Sequence, residues 1–309
     1  MTQDVTYGAA ELRPYINWIY FFHAWGFAPR YAGIASVHDC PACRQAWVER
    51  FEPADREAAR AALRLYADAD ARLREWGTDQ AARGRFGLYA ARSEGDDVCI
   101  RTDDGAVVVL PFLRQQRTVR PGEPCLCWAD FISPQPAAKD SGPYPVAHTL
   151  GLFVTAATPE PERDRATDDY GSMLVQTLSD RLAEAAAEKM HERVRRHDWG
   201  YAADEACTPA ELFAEKYQGR RPAVGYPSLP DQSLIFLMDR VLDFSKAGIS
   251  LTETGMMRPH AAVAGLFVAH PAARHFSIGP IDDRQLADYA RRRGLPATDL
   301  RRYLAGNLR

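Results

Sequence analysis

The most constraining feature of this sequence is a run of β-rich segments that lies between two long helical patterns. Apolar residues recur at helical spacing over 53–76 and again over 168–196, which is the strongest helical pattern in the chain. The β-rich segments between them are 86–91, 98–102, 106–112, 125–132 and 149–156. The turn Asp103-Asp104-Gly105 separates the second segment from the third, as in an antiparallel pair.

The remainder of the chain does not alternate regularly between helix and strand. A Gly/Pro-rich segment at 219–230 precedes a predicted helix at 232–244. Three predicted strands (249–253, 263–270 and 275–279) and two short helices follow. This order argues against a doubly wound parallel sheet. We therefore expect one α+β domain over residues 1–309, with a largely antiparallel sheet flanked by helices.

Composition excludes several classes of protein. The 309 residues carry a net charge of −3, which gives no electrostatic reason to expect nucleic acid or an anionic membrane as a partner. No apolar run reaches the roughly 18 residues of a spanning helix. The start Met1-Thr2-Gln3-Asp4 lacks the basic residues of a secretory signal, so we expect a cytoplasmic protein.

In a chain of this size, we expect the six cysteines to be reduced thiols rather than a disulfide framework. Cys40-Pro41-Ala42-Cys43 has redox or metal spacing, and His38 lies two residues before it. A structural zinc site normally needs a second matching pair. The pair Cys125 and Cys127 is too closely spaced to serve, so the sequence assigns no metal.

Two groups of polar residues stand among apolar ones. Asn17 interrupts a densely aromatic segment, and a buried amide there needs backbone or ligand partners. A polar stripe runs along the 168–196 helix and consists of Asp180, Glu184, Glu188 and His191. For most of these four residues we expect a solvated helix face.

The residues that favour ligand binding lie in the segment 218–231, called the ligand loop below. The sequence contains no glycine-rich phosphate loop, complete zinc-protease motif or nucleophile elbow. In the ligand loop, glycines and prolines impose a non-helical backbone course. Arg221 within it offers a planar fork suited to a carboxylate.

Short motifs along the chain match, in the same order, those of one known family. They are Tyr15-Ile16-Asn17-Trp18, Phe21-Phe22, Trp25, Leu113-Arg114-Gln115-Gln116, Ala129-Asp130-Phe131, Asp169-Tyr170, Asp180-Arg181-Leu182-Ala183-Glu184-Ala185, His191-Glu192-Arg193-Val194-Arg195, Trp199-Gly200-Tyr201-Ala202, Tyr217-Gln218-Gly219, Arg221-Pro222-Ala223, Gly225-Tyr226-Pro227, Leu251-Thr252-Glu253, His270-Pro271 and Asp288-Tyr289-Ala290-Arg291-Arg292. With these motifs, which cover nearly the whole chain, the sequence resembles the S-adenosylmethionine-binding activation domain of cobalamin-dependent methionine synthase.

The resemblance implies a C-shaped domain with a twisted antiparallel sheet and a shallow groove for S-adenosylmethionine. In such a groove Arg221 would hold the ligand carboxylate, backbone around Ala223 and Gly225 would meet the adenosyl part, and Tyr226 would line the side that faces cobalamin. The predicted ligand-binding residues are Asn17, Glu184, Arg221, Ala223, Gly225, Tyr226, His275 and Phe276, and the candidates for catalysis are Tyr226, Glu184 and His275.

The chain departs from the family pattern at three places. Asn17 stands where the family has an aspartate, which would pair with the ligand ammonium. His275-Phe276 replaces a pair of tyrosines that covers the ligand. The segment Asp231-Gln232-Ser233-Leu234 replaces a continuation with His and Lys.

These departures leave three functions open. Because the sequence contains no Asp-x-His-x-x-Gly cobalamin motif, we expect a free-standing activation domain. Its first function would be to reactivate a separate methionine synthase by methyl transfer to partner-held cobalamin, with a flavodoxin-like reductant. The second is cyclisation of S-adenosylmethionine to 1-aminocyclopropane-1-carboxylate or azetidine-2-carboxylate, which releases methylthioadenosine and needs a base. The third is ligand sensing without turnover.

Overall fold

The computed structural model describes residues 1–77, 80–118, 121–137, 144–158 and 168–308. Its helices are α1 (Ala9–Leu12), α2 (Trp18–Ala24), α3 (Pro41–Glu49), α4 (Arg56–Trp76), α5 (Asp169–Arg193), α6 (Pro209–Phe213), α7 (Leu234–Leu242), α8 (Asp283–Arg293) and α9 (Ala297–Tyr303). Its strands are β1 (Thr2–Gly8), β2 (Gln80–Glu94), β3 (Asp97–Arg101), β4 (Val107–Pro111), β5 (Thr149–Ala157), β6 (Ser250–Leu251), β7 (Met257–Arg258) and β8 (Ala262–Phe267).

Six of the strands form one sheet in the order β4-β3-β2-β5-β8, with β1 beside β2. The pairs β2–β3 and β3–β4 are antiparallel, with Ala91 opposite Ile100 and Val98 opposite Leu110. The predicted turn at Gly105 closes β3 onto β4, since Thr102 N–H donates to the Ala106 carbonyl at 2.9 Å. The predicted α+β fold with an antiparallel sheet and helices is therefore confirmed.

The chain divides into two compact units. The first comprises residues 1–5, 84–155 and 190–309, and the second comprises residues 6–83 and 156–189. In the first unit Phe153 of β5 stacks on Phe267 of β8, with ring centroids 4.7 Å apart. In the second unit Trp18 packs edge-on against Tyr66 of α4 at 4.9 Å. The expectation of a single domain over residues 1–309 stays a prediction.

Two strand predictions are wrong, and in both places a hydrogen bond outside any strand ladder uses a backbone N–H group, that of Cys127 or of Ile278. Residues 128–131, within the predicted strand 125–132, form a 3-10 turn because the Asp130 carboxylate accepts the Cys127 N–H at 2.9 Å. Residues 275–279 form no strand, and the Ile278 N–H donates instead to the Pro227 carbonyl at 2.9 Å. The predicted loop at 133–145 is confirmed at 133–137 and 144–145, while 138–143 lie outside the described residues.

The polar stripe of α5 is less solvated than the sequence predicts. Glu188 is 8% exposed and His191 is fully buried. The His191 ring stacks on Phe267 at 5.0 Å with an angle of 3° between the planes, so the helix buries this face against aromatic side chains. Among the described residues, no helix has the length and apolar content needed to span a membrane.

Candidate functional site

The ligand loop begins as an added edge to the sheet of the first unit. Arg220 and Val268 exchange two backbone hydrogen bonds, at 2.8 and 3.0 Å. The Leu266 N–H then donates to the Pro222 carbonyl at 2.9 Å, so the backbone up to Ala223 runs antiparallel to β8. This pairing fixes the course of the loop through backbone groups.

A glycine in β8 makes this close approach possible. A Cβ atom added at Gly265 would lie 2.2 Å from the Pro222 carbonyl oxygen and 2.9 Å from the Ala223 Cα. Both distances are far below contact distance, and neither neighbour is a flexible side-chain end. The position of Ala223, a predicted ligand-binding residue that is 6% exposed, therefore depends on Gly265.

The tip of the ligand loop is a closed turn that presents Tyr226. Gly225 has a φ of +88°, which favours glycine, and its N–H donates to the Leu229 carbonyl at 2.8 Å. The Leu229 N–H donates back to the Tyr226 carbonyl, also at 2.8 Å. The Tyr226 side chain at the tip is 51% exposed. A rigid turn that exposes an aromatic ring can offer it to a ligand.

Arg221 lies between the paired segment and the tip. Its guanidinium carbon is 5.8 Å from the centroid of the Phe153 ring, and the residue is only partly exposed. A guanidinium beside an aromatic face interacts more strongly with a carboxylate than it does in open water, because the local dielectric is lower.

Trp128 brings the ligand loop and the segment with His275 and Phe276 together. Its indole Nε1 donates to the Ser228 carbonyl at 2.9 Å, and its ring lies 5.0 Å from Phe276 and 6.4 Å from His275. Trp128 itself is 1% exposed. Sequence reasoning missed its role because 125–132 reads as a strand. The available signal was Asp130, two residues later, which suits a turn.

His275 is paired with a carboxylate that the sequence analysis did not identify. Its Nε2 lies 3.0 Å from Glu215 Oε1, and Arg220 Nε lies 3.3 Å from the other oxygen. Burial alone would raise the pKa of Glu215, but the His275 hydrogen bond and the nearby arginines outweigh burial and lower it. A histidine that donates from Nε2 can accept a proton only at Nδ1. Glu215 also has a φ of +51°, which sequence patterns do not reveal.

Buried polar residues lie beneath the start of the ligand loop. The Arg195 guanidinium stacks over the Tyr217 ring at 3.7 Å and forms two hydrogen bonds with Glu205, at 2.6 and 2.7 Å. His191 meets Tyr217 edge-on at 5.3 Å. Burial first, and the neighbouring arginine charges second, lower the pKa of His191 well below its ordinary value. The ring is therefore neutral at physiological pH.

The other two predicted ligand-binding residues belong to the second unit. Asn17 is the N-cap of α2, and its Oδ1 accepts the Ile19 N–H at 3.1 Å. Glu184 lies near the middle of α5 and is partly buried. A backbone N–H group is therefore one of the polar partners of the Asn17 side chain.

The cysteine pair also lies in the second unit, at the start of α3. Cys40 is the N-cap, and the Cys43 N–H donates to its Sγ at 3.2 Å. The hydrogen bonds from the Cys43 side chain and backbone, followed by one from His38, lower the pKa of Cys40 to about 7. All six cysteines are free thiols, as predicted.

Comparison with known proteins decides the family. A family model described as vitamin B12 dependent methionine synthase, activation domain, matches residues 9–294. The chain belongs to this family. A solved structure, the crystal structure of the MetH reactivation domain bound to AdoHcy, is similar at 34% sequence identity and a TM-score of 0.82. The match covers 100% of this chain and 90% of that chain.

The exit of the ligand loop in this activation domain is held by a buried carboxylate. Asp231 is 1% exposed, accepts the Tyr289 hydroxyl at 2.7 Å and lies 3.3 Å from Arg293 Nε. Its other oxygen accepts the Ser233 N–H at 2.9 Å. Asp231 therefore anchors the exit of the ligand loop to α8.

Proposed function

We propose that this activation domain binds S-adenosylmethionine and donates its methyl group to the cobalamin of a methionine synthase, which returns an inactivated enzyme to its cycle. The proposal is carried by 34% identity, over the whole chain, to a reactivation domain whose crystal structure contains AdoHcy. AdoHcy is what remains of S-adenosylmethionine once the methyl group has left, so it corresponds to the product of such a transfer.

The residues of the ligand loop fit the groups of this ligand. Arg221 can bind the carboxylate through two parallel N–H bonds, and its place beside Phe153 strengthens them. Hydrogen bonds hold the backbone at Ala223 and Gly225 rigid enough to meet the adenosyl part, and the exposed Tyr226 ring would line the side that faces cobalamin. Phe276, His275, Asn17 and Glu184 complete the proposed set, with Glu184 as the negative charge for the ammonium or sulfonium.

The chemistry makes few demands on this chain. Reduced cobalamin, as the second substrate, attacks the methyl carbon, the carbon–sulfur bond breaks, and its electron pair stays on sulfur. The sulfonium is already a good leaving group, so no proton moves in this step. We therefore assign Tyr226, Glu184 and His275 to orienting the ligand rather than to acid–base catalysis, with the reducing electron supplied by a flavodoxin-like donor.

The first test is binding of S-adenosylmethionine by calorimetry. The Arg221→Ala substitution removes charge-assisted hydrogen bonds worth about 1.5–3 kcal/mol, so we expect affinity to fall by about 10- to 100-fold. The Arg221→Lys substitution keeps the charge without the fork, and we expect an intermediate loss. The exposed Arg274 provides the matched control, since Arg274→Ala should leave affinity unchanged. Equal affinities for all four proteins would contradict the proposal.

The second test is turnover. The full chain is incubated with S-adenosylmethionine, a reductant and a cobalamin-bearing methionine synthase that lacks its own activation domain. We expect methylcobalamin by absorbance and one equivalent of AdoHcy by mass spectrometry. A parallel reaction without cobalamin is analysed for methylthioadenosine and a four-carbon cyclic amino acid. Their formation at enzymatic rates would replace the proposal by the cyclase function, and binding without either reaction would replace it by ligand sensing.

A further inference from the structure

Three side chains that can ligate metals converge at the start of α3. His38, Cys40 and Cys43 each offer one ligand atom, and these atoms all lie within 4.8 Å of one another. The spacing of the two cysteines was visible in the sequence, but the contribution of His38 depends on how the chain enters the helix. No part of this cluster takes part in the proposed methyl transfer.

The local backbone sets this convergence. Cys40 has extended backbone angles (φ −98°, ψ 148°) as the N-cap, and Pro41 starts the helix. The next turn brings the Cys43 N–H to 3.2 Å from Cys40 Sγ, so both sulfurs lie at the same end of α3. Asp39 between His38 and Cys40 pairs instead with Arg44 and with Arg74, at 2.9 Å in the latter case. Asp39 thereby offsets the charges of these two arginines.

We propose that His38, Cys40 and Cys43 bind one thiophilic divalent metal ion of the zinc class, with water as the fourth ligand. Two thiolates and one neutral imidazole balance the charge of a divalent ion. Soft sulfur ligands select such ions over magnesium or calcium, which require oxygen. Zinc sites with three protein ligands keep the fourth position open for water or another small ligand. Two cysteines and one histidine are one of the ligand sets found in such sites.

The exposure of the three residues supports an exchangeable site. His38 is exposed and both cysteines are half-buried, so an ion can reach the cluster from solvent without unfolding of α3. Closed structural sites supply four protein ligands. Among the described residues, the cluster contains three ligand atoms.

The test is a titration of the reduced full chain with Co²⁺, which reports thiolate coordination through an intense charge-transfer band. We expect the band and tetrahedral d–d absorption to saturate at one Co²⁺ per chain and to disappear on addition of Zn²⁺. The Cys40→Ser, Cys43→Ser and His38→Ala substitutions should each weaken binding by at least about 100-fold, because even outer-shell changes cost 10- to 100-fold. Cys40→Ser keeps a capping oxygen at the start of α3, so loss of fold does not explain its result.

Two of the other partly buried thiols provide matched controls. Cys207→Ser and Cys125→Ser should leave the Co²⁺ titration unchanged. Absence of the band in the reduced wild-type chain would overturn the proposal, as would a band of full intensity in Cys40→Ser. A chain that binds no Co²⁺ but forms a Cys40–Cys43 disulfide with oxidised glutathione, giving two molecules of reduced glutathione that carry the two thiol protons, would make the cluster a redox dithiol instead. None of these outcomes depends on S-adenosylmethionine binding, so the two proposals fail separately.

Discussion

The ligand loop and the two helix starts at Asn17 and Cys40 position their side chains by different means. The ligand loop is held from both ends by residues far away in sequence, through backbone pairing with Val268 and a buried contact of Asp231 with Arg293. Asn17 and Cys40 are held by backbone N–H groups two or three residues ahead of them. Substitutions that disturb the ligand loop should therefore cost fold stability, whereas substitutions at the helix starts should change chemistry and leave the fold intact.

The largest effect is expected at the exit of the ligand loop. Asp231→Asn leaves the Arg293 side chain, which is 4% exposed, without its counter-charge. Removing one partner of a buried ion pair costs about 3–5 kcal/mol, so we expect the free energy of unfolding to fall by that amount in urea titrations. Asp283→Asn is the control, because Asp283 pairs with Arg301 at an 85% exposed position and should cost under about 1 kcal/mol. Equal losses would mean that burial does not set the cost.

The entry of the ligand loop should respond next. Gly265→Ala places a methyl group 2.2 Å from the Pro222 oxygen, so β8 and the loop must separate. Overpacking of this kind costs about 1–3 kcal/mol, and we expect a lower melting temperature together with weaker S-adenosylmethionine binding. Gly306→Ala is the matched control, since a Cβ there meets no atom within 4 Å. If the Gly265→Ala chain is destabilised but binds S-adenosylmethionine with unchanged affinity, ligand binding does not depend on the geometry of the loop.

The sequence predicted neither of the helices that begin at Asn17 and Cys40, although the cysteine spacing itself was visible. Caps and short motifs depend on neighbours in sequence, so Cys40-Pro41-Ala42-Cys43 was visible as a spacing. The partners of His275 and Trp128 come from Glu215 and Ser228, many residues away, and no local pattern encodes them. Long helical patterns such as α4 and α5 were predicted correctly, because their periodicity is local. The burial of His191 was not, since a polar stripe does not reveal the aromatic rings that cover it.

A pH effect is expected beneath the ligand loop. The pKa of buried His191 is lowered well below 6.5, so the unfolded chain binds a proton that the folded chain does not. The contribution of His191 to the free energy of unfolding is therefore fully present above about pH 6.5. Below that pH it falls by about 1.4 kcal/mol per pH unit. His191→Phe keeps the stack on Phe267 and removes that slope, whereas His260→Phe, at an exposed position, should leave it. Identical slopes in wild type and His191→Phe, measured by denaturation between pH 5 and about 7, would contradict a neutral buried ring.

A smaller effect, on binding alone, is expected at the start of α2. Aspartate and asparagine cap helices about equally well, so Asn17→Asp should leave stability within about 0.5 kcal/mol. If position 17 lies beside the ligand ammonium, as the resemblance implies for the family aspartate, the added charge contributes about 1 kcal/mol, or about fivefold in affinity for S-adenosylmethionine. Methylthioadenosine, which lacks the ammonium, is the control ligand and should show no gain. A gain for both ligands would place Asn17 away from the amino group.

The smallest effect is expected at the start of α3. Serine at position 40 retains an acceptor for the Cys43 N–H, so Cys40→Ser should change the free energy of unfolding by less than about 0.5 kcal/mol when a chelator is present. Without the chelator and with Zn²⁺ added, the wild-type chain should become more stable than the variant, because an ion that binds only the folded chain stabilises it. The difference should grow with Zn²⁺ concentration. A variant that is strongly destabilised even in chelator would show that the sulfur supports the fold itself, and the contrast between helix start and ligand loop would no longer hold.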